Sequence, residues 1–275
     1  MLELEHEFRA TDIHARLDPD EEAAAARGRN VTADKLEREM HQAGVVSAVV
    51  SPGPRPKDEG YIRANNAVAR LSVDRPFHAF ARLNGPRDPG STAVSRLRNA
   101  TASPADHHTA PEEVEQYAYD DRFHGFTLAP AYDGLPDGAV LDELESVGAP
   151  VLVHAGINFP PSAVADHLLG YSFPVVLAAF GGDPLNRDLM QESLRLLSVH
   201  DDLYLDTCAV RYRDVLERGL LEHPDRIVFG SGAPGVHPNV AVMELLTLDV
   251  SADAMRRAFA KNPARLVDAL GPSDD

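Results

Sequence analysis

Short apolar runs alternate with polar, helix-forming stretches along most of the chain, and this alternation constrains the fold more than any other feature. The runs predict eight strands, at 8–16, 45–50, 77–83, 125–128, 151–154, 175–180, 203–206 and 227–229. Near-continuous apolar runs such as 45–50 are typical of parallel strands, which are buried on both faces. Eight such repeats in 275 residues predict one α/β domain over 1–275, a (β/α)8 TIM barrel. The alternative, an open doubly wound sheet, normally carries a glycine fingerprint after the first strand, and the sequence has none there.

The segment from about 85 to 121 interrupts this pattern. It is polar and contains four prolines and the pair His107–His108. Short helices are predicted at 93–99 and 112–117, and the segment as a whole is predicted to be a mobile insertion. A solvated pair is the simplest interpretation of His107 and His108.

The chain is strongly acidic, with 43 acidic against 26 basic residues and a formal net charge of -17. Such a field repels nucleic acid and anionic membranes, so we expect neither as a partner. The charged first residues and the lack of a long apolar run predict a cytoplasmic protein. The composition is similar to that of halophilic, haloarchaeal proteins, although acidity is also typical of an ordinary solvated surface. Cys208 is the only cysteine, which excludes an internal disulfide.

The carboxyl ends of the strands build the active site of a TIM barrel. The predicted ends carry His14, Arg16, Arg82, Asn84, Thr127, His154, Ala179, Asp206, Cys208, Ser231 and Gly232. Alternation along the first strand predicts that Asp12, His14 and Arg16 share one face.

Six short motifs at these ends resemble one family in their order and spacing. They are TDIHAR (11–16), VLVHAG (151–156), VLAAFGG (176–182), LYLDT (203–207), RIVFGSGAP (226–234) and NPARL (262–266). Together they resemble the amidohydrolase superfamily, in particular its amidohydrolase-related (amidohydrolase 2) branch. That branch contains metal-dependent hydrolases and decarboxylases of small carboxylic acids. The resemblance covers most of the chain and implies a hydrolase-like enzyme or lyase with a divalent metal, zinc or manganese.

The chain departs from the family at its metal ligands. His14 and His154 match the first-strand and fifth-strand histidines, so the resemblance implies them as an incomplete metal set. Arg16 stands in place of the second histidine of the first strand, Ala179 in place of the sixth-strand histidine and Gly232 in place of the eighth-strand aspartate. A catalytic zinc normally has three protein ligands, and Arg16 adds a fixed positive charge beside the cation position.

These departures lead to a hypothesis about function. Arg16, with Arg82, binds a carboxylate or phosphate in place of the metal, and His14 or His154 acts as acid or base. The candidate catalytic residues are therefore His14, Arg16 and His154, and the candidate substrate-binding residues are Arg16, Arg82, Thr127, Asp206 and Ser231. The predicted function is an amidohydrolase-like enzyme acting on a small carboxylated molecule, with metal ligation reduced or lost.

Other interpretations stay open at this stage. The alternative function is that of a catalytically inactive barrel that serves as a ligand-binding or assembly module. A homo-oligomer is also compatible with the sequence. His14 and His154 are alternatively hydrogen-bonded barrel residues, and Cys208 a small buried hydrophobe. Asp206 alternatively pairs with Arg16 or accepts backbone N–H groups, and Arg82 is alternatively a salt-bridged rim residue.

Overall fold

Eight parallel strands form the centre of the protein and confirm the (β/α)8 TIM barrel. The computed structural model describes residues 6–18, 32–90 and 92–271. The strands are β1 (Ala10–Arg16), β2 (Val45–Ser51), β3 (Phe77–Leu83), β4 (Phe123–Leu128), β5 (Val151–Val153), β6 (Val175–Leu177), β7 (Leu203–Asp206) and β8 (Ile227–Val228). Their order in the sheet is their order in the chain, as a barrel of β/α repeats requires.

Helices follow the strands and cover the outside of the sheet. They span Ala33–Gln42, Ile62–Ser72, Ala93–Thr101, Pro111–Ala118, Pro130–Asp133, Gly138–Val147, Pro161–His167, Arg187–Leu196, Arg213–Glu222, Pro238–Leu246, Ala252–Arg256 and Asn262–Leu266. Thr32, Asp137, Asn186 and Ser251 each accept a backbone N–H at a helix start, which satisfies donors that the helix itself leaves unpaired. Within the described residues, none of these helices combines the length and apolarity needed to cross a bilayer.

Backbone hydrogen bonds between β1 and the chain around β8 close the barrel. Ile13 N donates to Phe229 O at 2.9 Å, Gly232 N to His14 O at 2.8 Å and Arg16 N to Ala233 O at 2.8 Å. The last two bonds lie beyond the end of β8, so the turn that follows this strand is fixed directly against the end of β1.

The inside of the barrel changes from apolar to polar toward the carboxyl ends of β3, β5 and β7. Its apolar layer contains Ile13, Val49, Phe80, Leu152, Val176, Tyr204 and Val228. Side chains repeat on one face every two residues, so the next inward positions on β3, β5 and β7 are Arg82, His154 and Asp206. The pleat of the strands therefore carries the polar side chains to one end of the barrel, above an apolar layer.

Two details of the predicted strands are wrong. Strand β6 ends at Leu177, and Ala178–Gly181 form a 3-10 turn in which Ala179 and Phe180 have φ of 54° and 52°. Alternation along β1 also fails, because the pairing with β2 shifts register between Asp12 and Ala15. Ile13 packs in the apolar layer, and the Asp12 carboxylate accepts the N–H groups of His14 and Ser231.

The segment from 85 to 121 contains the two helices predicted there, Ala93–Thr101 and Pro111–Ala118. Thr109 ties it to the barrel, because Asn84 N donates to its hydroxyl and Asn84 Oδ1 accepts from its backbone N–H. The mobility of this segment stays a prediction.

Two histidines lie side by side in β3 and β4, toward the end of the barrel opposite the polar pocket. The ring centroids of His78 and His124 are 5.1 Å apart. Burial, and then the charge of His124, lowers the pKa of His78 to about 4. Burial also lowers the pKa of His124, against the opposing effect of Asp121. Both imidazoles are therefore neutral in the folded protein at neutral pH.

We expect His78→Gln to reduce the loss of stability at acidic pH. A histidine whose pKa is lower in the folded state stabilises the fold above its unfolded pKa of about 6.5, and this contribution is lost as pH falls toward about 4. For a half-buried ring the effect is about 1–2 kcal/mol. Urea unfolding of wild type and variant at about pH 7 and about pH 4.5 measures it. The exposed His41→Gln is the matched control, and equal pH dependence in wild type and His78→Gln would contradict the prediction.

Candidate active site

A pocket of about 300 Å³ opens at the carboxyl ends of the strands. His14, Arg16, Arg82, His154 and Gly232 all line it, so the structure brings these five sequence-predicted positions together. Its wall is completed by Pro54, Ala129, Tyr132, Ala155, Ala178, Ala179, Asp183, Cys208 and Ala209. Thr127 and Ser231 are buried but do not contribute to the wall.

A buried ion pair joins β1 and β7 at the base of the pocket. His14 Nδ1 lies 2.7 Å from Asp206 Oδ2, and both side chains are buried. The other carboxylate oxygen of Asp206 accepts from Ala179 N at 2.9 Å and Cys208 N at 2.8 Å. Burial lowers the pKa of His14, but Asp206 and then Cys208 together raise it by more. The pKa of His14 therefore lies well above its ordinary value. Asp206 thus both accepts backbone N–H groups and fixes the His14 ring with Nδ1 as the donor.

His154 is the second imidazole of the pocket. Its ring meets that of His14 edge to face, with centroids 4.9 Å apart and an interplanar angle of 81°. Burial, and then the positive charges of His14, Arg82 and Arg16, hold its pKa well below the ordinary value, so the ring is neutral. Its Nε2 atom is buried and has no hydrogen-bond partner among the described residues. A buried polar atom in that state is costly, and a bound ligand can satisfy it.

Thr127 Oγ1, on the neighbouring strand β4, is also buried without a partner in the described part of the chain. Thr127 pairs with Leu152 in the sheet, two residues before His154. The two unsatisfied atoms therefore belong to adjacent strands, with Thr127 deeper in the barrel than His154.

Arg82 is held by a buried ion pair that the sequence did not reveal. Its Nε and Nη2 atoms each lie 2.8 Å from Asp133 Oδ2, and its Nη1 donates to Pro52 O at 3.2 Å. Its guanidinium lies over the Tyr61 ring, whose hydroxyl donates to Asp133 Oδ1 at 2.8 Å. Arg82 is only 3% exposed, so it is a salt-bridged residue of the pocket wall rather than of the rim.

The turn Gly230–Ser231–Gly232 is small because other side chains fill the space beside it. A Cβ at Gly230 would lie 3.0 Å from both His14 Cβ and Asp206 Cγ. A Cβ at Gly232, where φ is +70°, would collide with the Cys208 thiol. The Ser231 hydroxyl donates to the Asp12 carboxylate and accepts from Ala233 N, which holds the turn against β1.

Cys208 is the component of the site that sequence reasoning undervalued. Its thiol, a His14 ring nitrogen and an Asp206 oxygen all lie within 4.8 Å of one another. Burial raises the pKa of the thiol, against the charge and hydrogen bond of His14, which lower it. The available signal was the spacing of Asp206 and Cys208, which places both on one face at the end of the seventh strand.

The side chains present do not fit a divalent metal held in the family's manner. Of the described residues, one group of His, Asp and Cys is compact enough to hold an ion, and it is His14, Asp206 and Cys208. In this group both Asp206 oxygens are already hydrogen-bonded. Arg16 brings a guanidinium to the same pocket, and Ala179 and Gly232 provide no donor side chain. A catalytic zinc needs about three ligands and an open position, so no step is assigned to a metal here.

Comparison with known proteins gives the family. The amidohydrolase family profile matches residues 11–269. A sequence search of functionally curated proteins gave no match. Because the profile covers most of the chain, the family assignment does not depend on any single strand-end motif.

Solved structures share the fold at low sequence identity. An uncharacterised TIM-barrel protein from Bordetella bronchiseptica is 18% identical, with a TM-score of 0.65 over 96% of this chain and 100% of that chain. A 2,6-dihydroxybenzoate decarboxylase from Rhizobium is 15% identical, with a TM-score of 0.63 over 96% and 100%. A 5-carboxyvanillate decarboxylase from Novosphingobium aromaticivorans, with bound manganese and a nitrobenzoic acid, is 12% identical, with a TM-score of 0.64 over 97% and 99%. With the profile match and this shared barrel, the chain belongs to the amidohydrolase family.

Proposed function

We propose that this protein is a metal-independent enzyme of the amidohydrolase family that acts on a small carboxylated molecule. The observation that carries the proposal is that Arg16, the His14–Asp206 pair and the neutral His154 meet in one pocket, which lacks the family's eighth-strand carboxylate at Gly232. Arg16 binds the carboxylate of the substrate, and His14 transfers the proton.

The charge of the pocket favours an anion. Its wall contains two arginines and two histidines but one acidic residue, Asp183, in a chain whose net charge is -17. A cationic cleft with low-dielectric walls concentrates anionic ligands even when the protein as a whole is acidic. The planar guanidinium of an arginine binds a carboxylate through two parallel hydrogen bonds.

We assign the anchor to Arg16 because of its position beside the two imidazoles. It follows His14 by two residues at the end of β1, and its charge contributes to the low pKa of His154. Arg82 contributes charge from a fixed position, because its N–H groups already donate to the Asp133 carboxylate and the Pro52 carbonyl.

The two histidines suit different tasks. Asp206 holds His14 with Nδ1 as donor, which leaves Nε2 for proton exchange with the substrate, as in other carboxylate–histidine pairs. His154 is neutral, and its unsatisfied Nε2 suits a hydrogen bond to a substrate oxygen. The decarboxylases of similar fold act on hydroxylated benzoates. By that analogy, and because the pocket is small, we propose a single-ring aromatic carboxylate as substrate.

We expect Arg16→Ala to weaken the binding of benzoate by about tenfold or more, which corresponds to about 1.4 kcal/mol. The variant loses the planar guanidinium and its charge. Arg16→Lys keeps the charge but cannot make two parallel hydrogen bonds, so it recovers only part of the affinity. Isothermal titration calorimetry with benzoate measures the effect, and benzamide is the uncharged comparison ligand. The exposed Arg70→Ala is the matched control for loss of one positive charge. Equal benzoate affinity in wild type and Arg16→Ala would refute the role of Arg16.

Metal analysis tests the second part of the proposal. We expect protein purified without chelator to contain far less than one zinc or manganese per chain, because Arg16, Ala179 and Gly232 remove the ligands and add a positive charge. Dialysis against a chelator should leave benzoate affinity unchanged. Stoichiometric metal that is lost in the His14→Ala/His154→Ala double variant would contradict metal independence.

A further inference from the structure

The thiol of Cys208, the His14 ring and the Asp206 carboxylate form a continuous chain of side chains at the base of the pocket. We propose that Cys208 is a nucleophile activated by His14 and Asp206, and that it forms a thioester with the acyl group of a small carboxylated ester. This inference rests on the proposed function, because it adds a covalent step to the same pocket.

The order of the three groups is that of a nucleophile, a base and an orienting carboxylate. Asp206 Oδ2 accepts a hydrogen bond from His14 Nδ1 at 2.7 Å, and the other Asp206 oxygen accepts from two backbone N–H groups. The thiol and a His14 ring nitrogen lie within 4.8 Å of each other. A nucleophile in reach of a base, with the base held by a third group, defines this kind of catalytic arrangement.

The surroundings of Cys208 argue against a simple packing role. Although buried, it belongs to neither of the two hydrophobic clusters of the described residues. It lies on the pocket wall with 9% of its surface exposed, beside charged and titratable groups. A cysteine that only fills core space has apolar neighbours.

A second observation points to a ligand at the thiol. The buried Nε2 of His154 lacks a partner, and its ring lies edge to face with that of His14. With Nε2 protonated, this neutral imidazole is a donor for the oxygen of a carbonyl attacked by Cys208. Gly232 provides the required clearance, because a Cβ there would collide with the thiol.

The reaction balances as a hydrolysis. The reactive form of the Cys208–His14 pair carries one proton between the two groups. As the sulfur adds to the ester carbonyl carbon, its proton passes to His14 Nε2, the carbon–oxygen bond to the alcohol breaks, and His14 gives that proton to the departing oxygen. Water then adds to the thioester carbon while His14 takes a proton from it, the carbon–sulfur bond breaks, and the proton passes from His14 to the departing sulfur. The products are one acid and one alcohol, and the thiol and the neutral imidazole are restored.

The first test is acylation by 4-acetoxybenzoate, an acetyl ester with a free carboxylate. We expect intact-protein mass spectrometry after acid quenching to show one acetyl group per chain, which neutral hydroxylamine removes as it removes thioesters. Phenyl acetate, the same ester without the carboxylate, should react more slowly. Cys208→Ser should lower the hydrolysis of 4-acetoxybenzoate at least about a hundredfold, because the nucleophile is lost.

Urea unfolding of Cys208→Ser and wild type provides the folding control, and equal midpoints show that the variant is folded. Hydrolysis of 4-acetoxybenzoate by Cys208→Ser at the wild-type rate would overturn the triad. Zinc bound through Cys208 would overturn both the triad and the metal independence of the proposed function. Wild-type hydrolysis by Cys208→Ser leaves the role of Arg16 in benzoate binding standing, so failure of the triad alone is separable from failure of the proposed function.

A second test does not depend on turnover. Because Cys208 is the only cysteine, every thiol alkylation reports on this residue. We expect iodoacetate to alkylate wild type about tenfold faster than it alkylates His14→Gln, and benzoate to protect the thiol. If neither 4-acetoxybenzoate nor iodoacetate reacts faster with wild type than with His14→Gln, the triad is refuted, and a binding module becomes the better interpretation of the pocket.

Discussion

The closure of the barrel between β1 and the chain after β8 determines the geometry of the whole site. Gly232 donates its N–H to the His14 carbonyl, and Arg16 donates its N–H to the Ala233 carbonyl. These bonds lie above the apolar layer. They hold the glycine turn against the histidine and the arginine of β1, so that turn and strand behave as one wall of the pocket.

Charge is distributed unevenly between the surface and the pocket. Most acidic residues in the described part of the chain are at least partly exposed, whereas Arg16, Arg82, His14 and His154 line the small pocket. The buried charges are compensated within the protein by Asp206 beneath His14 and Asp133 beside Arg82. An uncompensated buried charge is strongly destabilising, so these pairs let the pocket hold fixed positive charge.

The sequence predicted the fold well because strand burial and helix amphipathicity are local properties of the chain. The placement of TIM-barrel active sites at the carboxyl ends of the strands also predicted the meeting of His14, Arg82 and His154 at one end of the barrel. Contacts between residues far apart in the sequence were not predictable, such as that of Asp133 with Arg82, because no local pattern marks the partner of an ion pair. The end of β6 was missed because Ala179 and Phe180 take a left-handed conformation that their residue types do not indicate.

The collision between a side chain at 232 and the thiol of Cys208 has a consequence for substitutions at 232. An aspartate at 232 and the present thiol position exclude each other, and the positive φ of Gly232 adds strain to any replacement. A single substitution at 232 therefore cannot place a carboxylate after β8 while the Cys208 thiol keeps its present position after β7. An aspartate at 232 therefore requires that the thiol moves or that Cys208 is replaced. This single steric contact couples the residue types that the two positions can carry.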